Sequence, residues 1–194
     1  MWPWEHLALG YLAYSLSVRL ATGDPPRRHE AAAVAVGALA PDLIDKPLSW
    51  SLDVFPTGYA VAHSAFVALA VIAAVGTVAA DRDHGRVGAA FIVTYVSHLV
   101  ADICYPIVFG EGPALSRVLW PVVTHPGYAV EVGSLQRTIL YLTRHLHRLA
   151  QPGARRLVAL ELAFLGTAAA LWLLDGAPGL RRGRPPESPA ESSE

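Results

Sequence analysis

The sequence predicts an all-α fold: a polytopic membrane bundle of about five transmembrane helices plus one interfacial amphipathic helix. Three observations point there. Hydrophobic residues make up 53% of the chain, with mean hydropathy +0.37. Charged residues are 16%, against about 25% in an average soluble domain. The apolar residues gather in runs long enough to cross about 30 Å of hydrocarbon at 1.5 Å per residue. A soluble all-α domain with buried helices is the competing fold.

The first run, His6 to Leu20, follows Met1-Trp2-Pro3-Trp4-Glu5, which lacks the basic region of a cleavable signal. Trp2 and Trp4 suit headgroup depth, where amphipathic rings settle. Ala31 to Leu48 is the second run. Val61 to Ala80 and Val87 to Phe109 are the clearest, their only ionisable members being His63, His98 and Asp102. In the long link from Gly110 to Arg156, Leu135, Ile139, Leu142, Leu146 and Leu149 recur at helical spacing while Arg137, Arg144, His145, His147 and Arg148 fall off that stripe. Such a helix lies in the membrane interface with its arginines among lipid phosphates, or packs across the bundle mouth. His29, His84, His145 and His147 are read as solvated. Leu157 to Leu174 is the last run, apolar except for Glu161. One domain, 1–175, is expected, followed by a disordered polar tail, 176–194, rich in Gly, Pro, Arg, Ser and Glu.

Arg19, Arg27, Arg28, Arg82, Arg86, Arg181, Arg182 and Arg184 flank links or ends on one side of this frame, whereas the N-terminus and Ser49 to Ala60 carry no basic residue. The positive-inside rule then sets the N-terminus outside a cell (inner or plasma) membrane, against the arginines of the long link. A net charge of −1 offers no basic surface for nucleic acid. Membrane lipids are the expected surroundings, and the single cysteine, Cys104, is read as a packing residue.

Ionisable residues inside apolar runs are costly, about 2.5 to 3.5 kcal/mol for a carboxylate at the bilayer centre, so they mark function. His6, Asp42, Asp45, His63, His98 and Asp102 all fall toward one leaflet on this frame, with Glu5 beside the first. His98 and Asp102 are four apart, Asp42 and Asp45 three apart, and each pair shares a helical face. Pro41 and Pro106 are expected to kink or end their helices, and Thr57 to cap the third. A divalent cation resolves such a cluster, and mixed His and carboxylate donors suit zinc, with manganese or iron possible. His125 is a further possible ligand.

The order of an N-terminal His6, Gly-Ala-Leu-Ala-Pro41-Asp42-Leu-Ile-Asp45-Lys-Pro, His63-Ser64, Ser97-His98-Leu-Val-Ala-Asp102 and Leu119-Trp120-Pro121 resembles the membrane-bound metal-dependent hydrolase family. Its bacterial members include a LexA-regulated inner-membrane protein. That family is held to be distantly similar to zinc-dependent phospholipase C and related nucleases, which implies zinc-assisted phosphodiester hydrolysis. The resemblance implies His6, Asp42, His63, His98 and Asp102 as metal ligands, with Asp45 a ligand or neighbouring base. One departure is clear: where members carry an aromatic-Arg-Gly-x-Thr segment, this chain reads Phe55-Pro56-Thr57-Gly58-Tyr59-Ala60-Val61-Ala62. An arginine that holds an anionic substrate there is replaced by another group, such as Lys46, or the substrate differs.

The resulting expectation is a membrane hydrolase that acidifies a metal-bound water and cleaves a phosphodiester or ester of a lipid or lipid-linked substrate, with Asp45 or Glu5 taking the proton. An ion or proton transporter uses intramembrane His and Asp too, but needs a path to the opposite face, where Ala and Val dominate Ala31 to Ala40 and Val67 to Val78. A bis-histidine haem protein leaves the aspartates unexplained, and a non-catalytic membrane scaffold is a further alternative.

Overall fold

The computed structural model describes residues 1–130 and 132–180. Within them the fold is all-helical: α1 (Pro3–Thr22), α2 (Arg28–Trp50), α3 (Ala65–Asp81), α4 (Gly85–Cys104), α5 (Ser134–Leu149) and α6 (Arg155–Leu174), with 3₁₀ turns at Tyr105–Phe109 and Leu115–Arg117. Gly85–Phe109 and Arg155–Leu174 are long and apolar enough to cross a membrane, while α3 is apolar but shorter.

Local chemistry sets the ends. Glu5 and Glu30 reach back to the backbone N–H groups of Trp2 (2.6 Å) and Arg27 (3.0 Å), half of a capping box at each start. Gly23, at φ 78°, ends α1 in the left-handed region that glycine enters without penalty. Ser64, not Thr57, caps α3 by accepting from Val67 N–H. The third run therefore enters its helix at Ala65, and Val61 to His63 belong to the preceding loop. Apolar side chains serve a buried loop as well as a helix, so hydropathy alone set the start too early. Helix α2 runs through both Pro41 and Pro47, whereas α4 stops one residue before Tyr105-Pro106 and tightens into a 3₁₀ turn.

The core is the triangle of α1, α2 and α4, with α3 against α4 and α6 against α1. Small residues bring these helices close: a Cβ at Gly37 would collide with Thr94 Oγ1 and Phe91 O, and one at Gly10 would crowd Thr94 and Ala38. Close backbone approach of this kind is how helices associate where the solvent is itself apolar. Leu16, Leu43, Leu69, Val100, Leu160 and Leu173 point outward, while Tyr14, Ser15, Thr94 and the ionisable cluster are buried. That distribution inverts a water-soluble bundle.

The end of the bundle far from the cluster is not purely apolar. Tyr14 donates to Glu30 (3.0 Å), which pairs with Arg86 (2.8 Å); Asp175 accepts from Tyr11 (2.6 Å), Ser15 (2.7 Å) and Arg19. The expectation of unmatched Ala and Val in the inner halves holds only for the segments on which it was based, because Tyr11, Tyr14 and Ser15 sit on α1. The predicted tail boundary also shifts. Residues 176–180 form turns held by Trp172 Nε1 donating to Pro178 O (3.1 Å), and 181–194 lie outside the described residues.

Candidate metal centre

His63 leaves the loop just before α3, while α4 presents His98 and Asp102 and α2 presents Asp42. Their donor atoms all lie within 4.8 Å of one another, and all four residues are buried. His63 Nε2 is 3.2 Å from His98 Nε2, 3.5 Å from Asp42 Oδ1 and 3.4 Å from Asp102 Oδ2. His98 Nε2 is 3.8 Å from Asp42 Oδ1 and 3.5 Å from Asp102 Oδ2. These are five of the six edges of a tetrahedron. Tetrahedral zinc with bonds of about 2.0–2.2 Å needs edges of about 3.3–3.6 Å.

The second nitrogen of each imidazole fixes what the cluster offers. His98 Nδ1 donates to Ala38 O at 2.7 Å, and His63 Nδ1 donates to Asp45 Oδ2 at 2.9 Å. Both Nε2 atoms then carry lone pairs aimed at each other and at two carboxylate oxygens. Four acceptors with no donor among them could hold a cation. Asp42 Oδ1 and both ring nitrogens of His6 are also buried without a hydrogen-bond partner among the described residues. The donor set fits a divalent ion.

His6 stacks on His98 with ring centroids 3.7 Å apart, its Nε2 3.4 Å from Asp102 Oδ1. It lies at the rim of the four-atom group rather than inside it. Asp45 is turned away from the centre: its carboxylate accepts the N–H groups of Ala60 (2.8 Å), Ala62 (3.0 Å) and His63 (3.0 Å) as well as the His63 ring. Glu5 is likewise occupied by the Trp2 N–H. The two residues expected to take a proton are thus held by other work. Ser64 of the His63-Ser64 pair donates to Trp120 O at 2.6 Å, and Ala65 N–H donates to Val118 O at 2.8 Å, which ties the Leu119-Trp120-Pro121 segment to the loop.

Pro41 contributes as well. Having no N–H, it cannot bond the Gly37 carbonyl, and the adjacent carbonyl, Ala38 O, accepts from His98. Lys46 holds the outer oxygen of Asp42 at 2.5 Å.

Above the centre opens a cavity of about 640 Å³ lined by Lys46, Tyr59, Arg117, His125, Arg144 and Arg148 among others. Arg117 donates to Asp102 O at 2.8 Å and lies over the Tyr59 ring, and Tyr59 sits edge-on to both His63 and His125 at 5.0 Å. His125 is therefore not in the metal group. Burial first, and then the Arg117 charge, push its pKa below the ordinary histidine value, so its neutral ring pairs with Ser116 Oγ at 2.9 Å. His145 is half-buried beside Glu161 (3.5 Å), not solvated as its basic surroundings suggested.

A family model described as YdjM inner membrane protein matches residues 1–177. The chain belongs to that family. The match places the protein in an inner-membrane family, which bears out the coarser half of the resemblance read from the motifs; it carries nothing about hydrolases or phospholipase C. No curated protein and no solved structure gives a match. Arg117, Arg144 and Arg148 are the cavity residues that sequence reasoning did not assign to a site. Only the spacing of Arg144 and Arg148, four apart on the polar face of α5, hinted at them.

Proposed function

We propose that this protein is a multi-pass inner-membrane hydrolase using a divalent metal, zinc by its donor set, to cleave a phosphodiester or ester in a lipid or lipid-linked substrate. The observation that carries the reading is the buried group of two imidazole and two carboxylate atoms, five of whose six separations are 3.2–3.8 Å and all of which lie within 4.8 Å. In this reading α1, α2, α3, α4 and α6 span the membrane and α5 lies in the interface. The basic residues Arg27, Arg28, Arg82 and Arg86 cluster at the end opposite the centre, which supports an extracytoplasmic site.

His63, His98, Asp42 and Asp102 would hold the ion, with His6 beside it in contact with Asp102. A divalent ion there supplies Lewis acidity toward a phosphoryl or acyl oxygen and acidifies water toward pKa about 7. Asp45 is a positioning residue, holding the His63 tautomer as carboxylates behind metal-bound histidines do. Asp102 Oδ1 already accepts from the Met1 ammonium at 3.2 Å, so His6, whose ring nitrogens have no hydrogen-bond partner among the described residues, is the group this arrangement would leave for the proton of an attacking water. Lys46 and Arg117 place positive charge between the centre and the cavity, in the role of the arginine absent from Phe55 to Ala62.

The test is hydrolysis of a phospholipid panel in detergent micelles by wild type, His98→Ala, Asp102→Asn and Asp81→Asn, the last at the far end of α3. Wild type and Asp81→Asn should turn over one lipid class, with the other two slower by more than about 100-fold. Proton or metal flux in proteoliposomes with no hydrolysis of any lipid would favour the transporter. What supports that second reading is the polar pairing at the far end; what weighs against it is the close packing of Gly10, Gly37 and Thr94 between the two ends.

A further inference from the structure

The cavity above the centre adjoins a second depression of about 460 Å³ that lies between α1, α4, α5 and α6. The two share Met1, Tyr105, His145 and Arg148. Their linings differ in kind. The cavity carries Lys46, Arg117, Arg144 and Arg148, whereas the groove is walled by Leu9, Val108, Leu157, Leu160 and Phe164.

Charge accounting sharpens the contrast. Lys46 is engaged by Asp42, and Arg117 by a backbone carbonyl. Arg148 lies over the Phe109 ring, and neither it nor Arg144 forms an ion pair among the described residues. The two carboxylates of the groove are both occupied, Glu5 by the Trp2 N–H and Glu161 by His145. The cavity therefore holds two arginines without an ion pair among the described residues, and the groove, apart from Glu5 and Glu161, presents apolar surface.

Helix α5 joins the two. Its Leu135, Ile139, Leu142 and Leu146 are exposed, while its polar face, with Tyr141, Arg144, His145 and Arg148, borders the cavity. A helix with its leucines turned outward and with Arg144 and Arg148 exposed on the cavity rim suits headgroup depth. That is where a phospholipid changes from charged to apolar.

We propose that the two depressions form one site for an anionic phospholipid, its phosphate between Arg117, Arg144 and Arg148 and an acyl chain in the groove. The assignment rests on the hydrolase reading only for the fate of the lipid once bound. The metal-disabled His98→Ala protein therefore tests it alone.

The probe is an equimolar mixture of dioleoyl phosphatidylglycerol and dioleoyl phosphatidylcholine in micelles, with lipid retained on purified His98→Ala protein counted by native mass spectrometry. The anionic lipid should be preferred, and each arginine removed in Arg144→Ala and Arg148→Ala should lower the preference by about fivefold, since a cation near a lipid surface contributes about 1 kcal/mol. The double Arg→Lys variant should keep most of it, which separates charge from folding. Leu160→Trp, which fills the groove, should lower retention of the lipid without changing affinity for soluble glycerol 3-phosphate. No preference for the anionic lipid, or one indifferent to both arginines, overturns the proposal. So does glycerol 3-phosphate binding as tightly as the lipid with Leu160→Trp without effect, which identifies a free phosphate ester as the ligand. Retention as expected, with no product formed by wild type, would instead sink the hydrolase reading and leave this one standing.

Discussion

Asp45 shows how much one carboxylate can decide. It accepts three backbone N–H groups and the His63 ring, so it both shapes the loop and aims Nε2 at the centre. Asp45→Asn should weaken metal binding by about 10- to 100-fold, read as retained zinc against a graded chelator series, while the protein still purifies as a monodisperse species. Unchanged affinity would show that the loop alone orients His63. The ionisable residues of the centre were legible in the sequence because a histidine or aspartate in an apolar run has no cheap alternative to function. The roles of Asp45 and Glu5 were not, since spacing places a carboxylate on a face without telling whether backbone N–H groups already fill it. Arg117 escaped notice for the opposite reason: an arginine in a polar link has many ordinary explanations.

At the scale of elements, the centre depends on how closely α2 approaches α4, because Asp42 and Ala38 come from one and His98 and Asp102 from the other. Gly37 sets that distance, its missing Cβ leaving room for Thr94 Oγ1 and Phe91 O. Gly37→Ala should cost about 1–3 kcal/mol by overpacking, seen as a lower thermal midpoint in detergent, and should reduce metal content with it. Retained stability with normal metal content would mean that the helices relax without disturbing the site. Helix existence was legible from apolar length, and α5 from its stripe. The start of α3 was not, because Val61 and Ala62 are as apolar as the helix they precede, and Ser64 gives a cap signal without the acidic partner that would mark it. The Tyr14–Glu30–Arg86 and Asp175–Arg19 pairings were invisible as well, since they join residues distant in sequence through tertiary contact.

For the whole molecule, the inverted distribution of apolar and polar residues and the basic links fix an expected topology. Accessibility reporters at Gly58, in the loop beside the centre, and at Asp83, in the link between α3 and α4, should report opposite compartments, with Gly58 extracytoplasmic. The same compartment for both would remove α3 as a span. The central claim, however, is that four buried side chains on three segments exist to hold one cation. Elemental analysis of detergent-purified protein, prepared without chelator, tests it most directly, with wild type beside His98→Ala and Asp102→Asn. About one divalent ion per chain in wild type and its loss in both variants is the predicted result. Metal-free wild type after reloading with zinc, or variants that retain the ion at wild-type stoichiometry, would contradict it.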